Sequence, residues 1–99
     1  MFNLFWEDED GYLKFEFFED KVFAHAKVNS WNKKIKVKCL AMWEEAKAEL
    51  RKLNYKCIYV VIPDNNVTLY KFEKTFGFNT VMQKDNILLM MCSTEELWA

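Results

Sequence analysis

IPDNNVTLYKFEKTFGF, residues 62–78, is the stretch on which the fold turns. An apolar run, Cys57-Ile58-Tyr59-Val60-Val61-Ile62, leads into it and stops at Pro63, which has no N–H to offer a sheet ladder. A continuous apolar run of this length reads as a strand buried on both faces, central or parallel in its sheet. Asp64-Asn65-Asn66 supplies a side-chain cap, so the spacing predicts a helix over 66–76, and Gly77 closes it. Phe78 then leads into another strand.

Working upstream, Cys39, Met42, Trp43, Ala46, Leu50 and Leu53 recur at threes and fours, with Glu44, Glu45, Lys47 and Arg51 opposite them. That pattern predicts a helix over 36–53, entered from a polar, basic loop at 29–38 and followed by Asn54 as a residue suited to left-handed backbone. Before the loop, Leu13, Phe15 and Phe17 alternate with Lys14 and Glu16. Val22, Ala24, Ala26 and Val28 alternate with Phe23, His25 and Lys27. With Glu19-Asp20 as the turn, residues 12–28 form an antiparallel hairpin. Residues 2–6 are short and apolar, and Glu7-Asp8-Glu9-Asp10-Gly11 reads as a loop. Downstream, Thr80–Met82 and Ile87–Cys92 are two strands around Lys84-Asp85-Asn86, and Ser93-Thr94-Glu95-Glu96 opens a short terminal turn. The order is β-β-α-β-α-β-β. It predicts one α+β domain over residues 1–99, a mixed sheet flanked by two helices.

Composition narrows the function. Of 99 residues, 52% are apolar and 17% aromatic, enough for a real core. Two Gly exclude any site built on a run of glycines. Three Cys (Cys39, Cys57, Cys92) without CxxC spacing, and one His, exclude a disulfide framework and leave a zinc site short of ligands. Residues 1–20 carry −6, 21–56 carry +7 and 57–99 carry −2, for a net −1. The N-terminus has acids where a signal peptide needs bases, and no apolar stretch reaches membrane-spanning length. The expectation is therefore a soluble, cytoplasmic protein of a reducing compartment.

The stretch 62–78 resembles the GNAT superfamily of acyl-CoA-dependent N-acyltransferases. There the segment reads roughly Asn, two residues, Ala, three residues, Tyr, three residues, Gly-Phe. Asn66 and Gly77-Phe78 fall in that register. The helix–strand pair over 36–62 and the hairpin before it fit the same order of elements. The resemblance covers about 12–92 and lacks the family's N-terminal strand and two helices. In size and style such a short, glycine-poor chain is also similar to small accessory proteins of bacteriophages, which implies a host cytoplasm or virion.

The resemblance also locates departures. GNAT proteins bind the CoA pyrophosphate with a loop of the form Gln/Arg, two residues, Gly, one residue, Gly/Ala, whose bare backbone lets N–H groups approach phosphate. Counting back from Trp43, those positions are Lys34, Val37 and Cys39. The family's thiol acid, a tyrosine, corresponds to Glu73, with Tyr70 one turn earlier. Glu73 serves as that acid only with a strongly raised pKa. Two readings follow. In one, the slot is filled and the degenerate fold serves as an interaction or accessory protein without cofactor. Its partner is a protein, or a second copy of the chain, docked on Trp6, Glu7, Asp8, Glu9 and Asp10. In the alternative, Lys33, Lys34, Lys36 and Lys38, with Asn66 at the helix start, hold acetyl-CoA, His25 or Glu16 acts as base, and Tyr70 or Glu73 protonates the thiol. The lysines with Trp31 could also meet nucleic acid, although a pI of 5.8 and the acidic N-terminus oppose it. Losing two cradle positions and the thiol acid together favours the first reading. No metal and no membrane are expected.

Overall fold

In the computed structural model, which describes residues 2–95, the chain runs β1 (Phe2–Asp8), β2 (Gly11–Phe18), β3 (Lys21–Val28), α1 (Lys33–Lys52), β4 (Cys57–Pro63), α2 (Val67–Thr75), β5 (Asn79–Lys84) and β6 (Ile87–Ser93). The strands make one sheet in the order β1-β2-β3-β4-β6-β5. Neighbours are antiparallel except β3 and β4. β3-α1-β4 and β4-α2-β5 both step the same way across the sheet between parallel strands. Right-handed crossovers therefore put both helices on one face.

The core lies under those helices. Phe15, Val22, Ile58, Val60, Ile62 and Met90 rise from the sheet to meet Trp43, Ala46 and Leu50 of α1, with Phe78 after α2. Trp43 is the hub. Its ring packs on Phe15, Phe76 and Phe78, and its Nε1–H donates to the Phe76 carbonyl at 2.9 Å. One side chain thus ties α1, the end of α2 and the sheet together.

Three expectations change. The run 57–62 is not buried on both faces: Ile58, Val60 and Ile62 are buried, but Val61 is 51% exposed. With both helices on one side, the other face of the sheet is uncovered. Secondly, residues 2–8 form a full strand rather than a short apolar segment before a loop, so the order begins with three strands. The turn is confined to Glu9-Asp10, because the Lys38 ammonium neutralises the carboxylates of Asp8 (2.7 Å) and Asp10 (2.8 Å). Gly11 makes the tight crossing possible: at φ +154° a Cβ there would lie 2.0 Å from the Lys27 carbonyl oxygen of β3. Thirdly, α1 starts at Lys33, three residues before the expected 36, because the Asn32 side chain accepts from the Ile35 N–H at 2.9 Å.

The remaining turns match their residues. Asn54 (φ 71°), Asp85 (φ 53°) and Asn86 (φ 68°) take the left-handed backbone that Asn and Asp tolerate best. Ser93 ends β6 and its hydroxyl accepts from the Glu95 N–H; the rest of the expected terminal turn lies outside the described residues.

Candidate functional site

Strands β3 and β4 share a single ladder pair, Phe23 with Tyr59. Beyond it, towards their carboxyl ends, the two strands part. In open sheets with parallel strands, that end of a parting pair is where ligands bind. A groove of about 600 Å³ lies there, walled by Ala26, Val28 and Trp31 on one side and by Asn66, Leu69, Lys71 and Phe72 on the other. The small side chains Ala24 and Ala26 keep the β3 wall low. Trp31 stands edge-on to Phe72 and Phe76, 5.3 and 6.3 Å between centroids, and closes one end.

The groove continues inward. Ala26, Val28 and Phe72 also line a small apolar cavity of about 50 Å³. Its other walls include Cys39, Met42, Trp43, Phe76 and Phe78, and one carboxylic acid, Glu73. Glu73 sits on the inward face of α2 and is 8% exposed. Burial among those rings disfavours its charged form and pushes the carboxyl up to about 7. A glutamate held that way is a proton donor near neutral pH. Burial likewise raises the Cys39 and Cys92 thiols, which keeps both in the unreactive protonated form.

On the uncovered face, directly behind the cavity, is a hollow of about 350 Å³ lined by Glu16, Phe18, Phe23, Ala24, His25 and Val61. His25 Nε2 and Glu16 Oε1 are 3.0 Å apart across the β2–β3 pair. Ala24 belongs to both the hollow and the Glu73 cavity. The sheet is therefore one residue thick between the two.

Neither known protein families nor curated proteins match the sequence. Solved structures match in shape. The PaiA N-acetyltransferase from Thermoplasma acidophilum, in complex with coenzyme A, superposes with a TM-score of 0.69 at 13% identity, over 84% of this chain and 52% of that one. The ribosomal-protein-S18-alanine N-acetyltransferase from Escherichia coli gives 0.62 at 13%, over 88% and 63%. YncA from Salmonella typhimurium, with its cofactor acetyl-CoA, gives 0.63 at 16%, over 91% and 61%. The chain has the GNAT fold. It spans between half and two thirds of the length of these structures.

Within the GNAT fold the residues singled out from the sequence separate into groups. Asn66 caps α2, its side chain accepting from the Leu69 N–H at 3.0 Å, and it lines the groove. Glu73 lies in the adjoining cavity, whereas Tyr70, half-buried against the core, does not line it. Lys34, Lys36 and Val37 are exposed in the first turns of α1, and Cys39 is buried beneath them. Of the positions matched to the phosphate loop, Val37 and Cys39 are helical, as the predicted helix over 36–53 has them, and Lys34 is helical too, because α1 begins at Lys33 behind the Asn32 cap. Ile35 and Cys39, four apart and both buried, begin the helical stripe, a signal that the run of lysines obscured.

Lys38 stands apart from the other lysines. Beyond its two carboxylates it lies over the Trp6 ring at 5.3 Å, and Trp6 Nε1–H donates to Asp8 at 2.9 Å. The hydrogen bonds to Asp10 and Asp8 raise the Lys38 pKa, and the bond from Lys38 holds the Asp8 carboxyl below its ordinary value. Of the acidic run, Glu7 and Glu9 are exposed, while Asp8 and Asp10 are tied to α1. Among the described residues no three His, Cys, Asp or Glu side chains are placed to hold a metal, and no helix is long and apolar enough to cross a membrane. Lys71, Phe72 and Ala26 were not anticipated as groove residues. Alanines on alternate positions of a strand are the trace they leave in the sequence.

Proposed function

We propose that the chain is an acyl-CoA-dependent N-acyltransferase that takes the thioester in the groove between β3 and α2. What supports this is Glu73: it lines the cavity that opens off the groove, burial pushes its carboxyl up to about 7, and its spacing to Gly77 is the one at which the resemblance implies the family's thiol acid.

The groove suits the arm of such a substrate. The β3 edge beyond Phe23 is not paired with β4, so an extended chain carrying amides can bond to it as a strand would. The groove volume falls in the range of ordinary ligand sites. Lys27 and Lys71 lie along it, and Lys33, Lys34 and Lys36 stand at the start of α1, where the first N–H groups have no intrahelical partner. These lysines take the role that bare glycine backbone has elsewhere in the family, as point charges on phosphate.

On this reading His25, oriented by Glu16, takes one proton from the acceptor ammonium. The amine nitrogen forms the C–N bond as the C–S bond breaks. The departing sulfur takes the Glu73 proton, and the second nitrogen proton restores Glu73 through solvent. One proton is released per amide formed.

Titration calorimetry with acetyl-CoA tests the reading. Binding in the micromolar range, weakened when Lys33, Lys34 and Lys36 are all changed to Ala, supports it. No heat and no thermal shift at millimolar acetyl-CoA sink it.

A second reading, a domain used for contact with a partner protein or a second copy, is favoured by the uncovered face. There Leu4, Phe18, Val61, Met82 and Ile87 are each 45–59% exposed.

A further inference from the structure

We infer that the uncovered face of the sheet pairs with the same face of a second copy of this chain, about a two-fold axis that crosses the strands between Lys14 and Glu16. The inference rests on the contact reading of that face, which it narrows to one occupant and one geometry. It takes nothing from the acyltransferase reading.

Strand pairing sets the side chains of this face in rows. Glu16, Phe23, Tyr59, Met91 and Asn79 stand side by side through direct ladder partners. Two residues along each strand, the next row is Leu4, Lys14, His25, Val61, Leu89 and Met82, with His25 and Val61 meeting across the hollow. Both rows divide in the same way. Charge sits on β2 and β3, and the residues of β4, β6 and β5 carry none. Leu4, Val61 and Met82 are each more than half exposed, apolar surface that a protein ordinarily covers.

That division says what fits. A two-fold axis across the strands, midway between the rows, lays each row on the other row of the second copy. Val61 then meets Tyr59, Leu89 meets Met91 and Lys14 meets Glu16, and each contact is made twice. Lys14 Nζ lies over the Tyr12 ring at 4.7 Å, and Glu16 keeps Oε1 on His25 at 3.0 Å while its other oxygen accepts from Lys14 of the second copy. At the rim Lys27 comes near Lys21, whose ammonium is held by Asp20 at 3.2 Å. An axis along the strands would set the charges of β2 and β3 on hydrocarbon, or leave half the face bare.

The area agrees. Six strands about 4.8 Å apart, with about seven residues of about 3.3 Å each, present roughly 29 by 23 Å, or about 650 Å² in plan. Side-chain relief brings this near the roughly 800 Å² per partner of a standard stable interface. A single helix, about 10 Å across, would cover only about two strands, whereas an equal sheet covers all six. The groove between β3 and α2 lies on the helix side and stays open in the pair. His25 is enclosed, so on the acyltransferase reading transfer belongs to the single chain.

The test follows mass against concentration for the full chain, from about 1 to 300 µM, by light scattering after gel filtration. A reversible change from one chain to two is expected. Val61→Lys should weaken pairing about tenfold or more, and Val37→Lys, a similarly exposed valine on α1, should leave it unchanged. Lys14→Glu and Glu16→Lys test the axis. Each alone sets like charges together and should weaken pairing about tenfold, whereas an equimolar mixture of the two restores every contact and should pair as the parent does. Recovery on mixing also shows that both variants fold. A single chain throughout the range, pairing indifferent to Val61→Lys, or no recovery on mixing overturns the proposal. A single chain throughout leaves contact with a different protein standing, and acetyl-CoA titration reads the acyltransferase separately.

Discussion

The two faces of the sheet are made by the same strands and differ in almost everything else. On the helix face Val22, Ile58 and Met90 have no exposure at all, and Trp43 fills the space between sheet and helices. On the other face Val61, which sits between buried Val60 and Ile62, and Phe18 are half open to water. Alternation along a strand says which residues share a face. Only the handedness of the two crossovers says which face is covered. That explains why one carboxylate, Glu73, is pressed into hydrocarbon while another, Glu16, meets an imidazole at the surface.

The largest expected effect comes from removing the hub of the covered face. Trp43→Ala deletes a ring packed on Phe15, Phe76 and Phe78 and frees the Phe76 carbonyl, so it should cost about 3–5 kcal/mol by urea denaturation. Val61→Ala on the open face should cost less than about 0.5 kcal/mol. Similar losses from the two would break the distinction between the faces.

Next in size is Glu73→Gln, which isolates the buried charge. In the unfolded chain this carboxyl titrates near 4.5, and in the fold at about 7. Between those values the folded state keeps a proton that the unfolded state has released, so stability falls as pH rises through that window and then levels off. The shift corresponds to roughly 3 kcal/mol. The glutamine variant mimics the protonated form. It should match the parent near pH 4 and exceed it by about that amount at pH 8, read from urea midpoints at the two pH values. If Glu73 is the thiol acid, the same variant loses acyl transfer while gaining stability. An advantage over the parent no larger at pH 8 than at pH 4 would show that the site is wetter than its apolar lining implies.

Much of this was legible in the sequence, and the parts that were not have physical reasons. The hairpin over 12–28, the α2 segment with its Asn66 cap, and the closing strands read correctly because each rests on local signals: alternation, capping and left-handed turn residues. The start of α1 did not. Its cap, Asn32, sits before a run of lysines whose charge suggested a loop, although Ile35 and Cys39 already mark the buried stripe. β1 was cut short because Glu7 and Asp8 look like loop residues. The bond that lets Asp8 stay in a strand comes from Lys38, thirty positions away. Asn66 and Glu73 were legible as residues of interest through their spacing to Gly77. The groove itself was not, since it exists only where β3 and β4 separate, and pairing between strands leaves no mark in either one alone.

The smallest expected effect tests the open face by the same chemistry that tests the covered one. Glu16→Gln removes a charge that faces His25 at 3.0 Å, with 35% of the Glu16 side chain and 44% of the His25 side chain in contact with water. Water solvates both groups whether or not they touch, so an exposed pair of this kind contributes about 0–1 kcal/mol. At neutral pH the variant should melt within a few degrees of the parent, given that 1 kcal/mol moves Tm by roughly 4–8 °C in a chain of this size. Thermal unfolding followed by circular dichroism is sufficient to see this. The pairing with Glu73→Gln makes the result informative: one amide-for-carboxylate exchange should raise stability markedly at alkaline pH, and the other should leave it nearly unchanged. A large loss from Glu16→Gln would mean that the open face is organised around the His25 pair. Its apolar residues would then be held in place by that pair, and the hollow would be a rigid, preformed pocket.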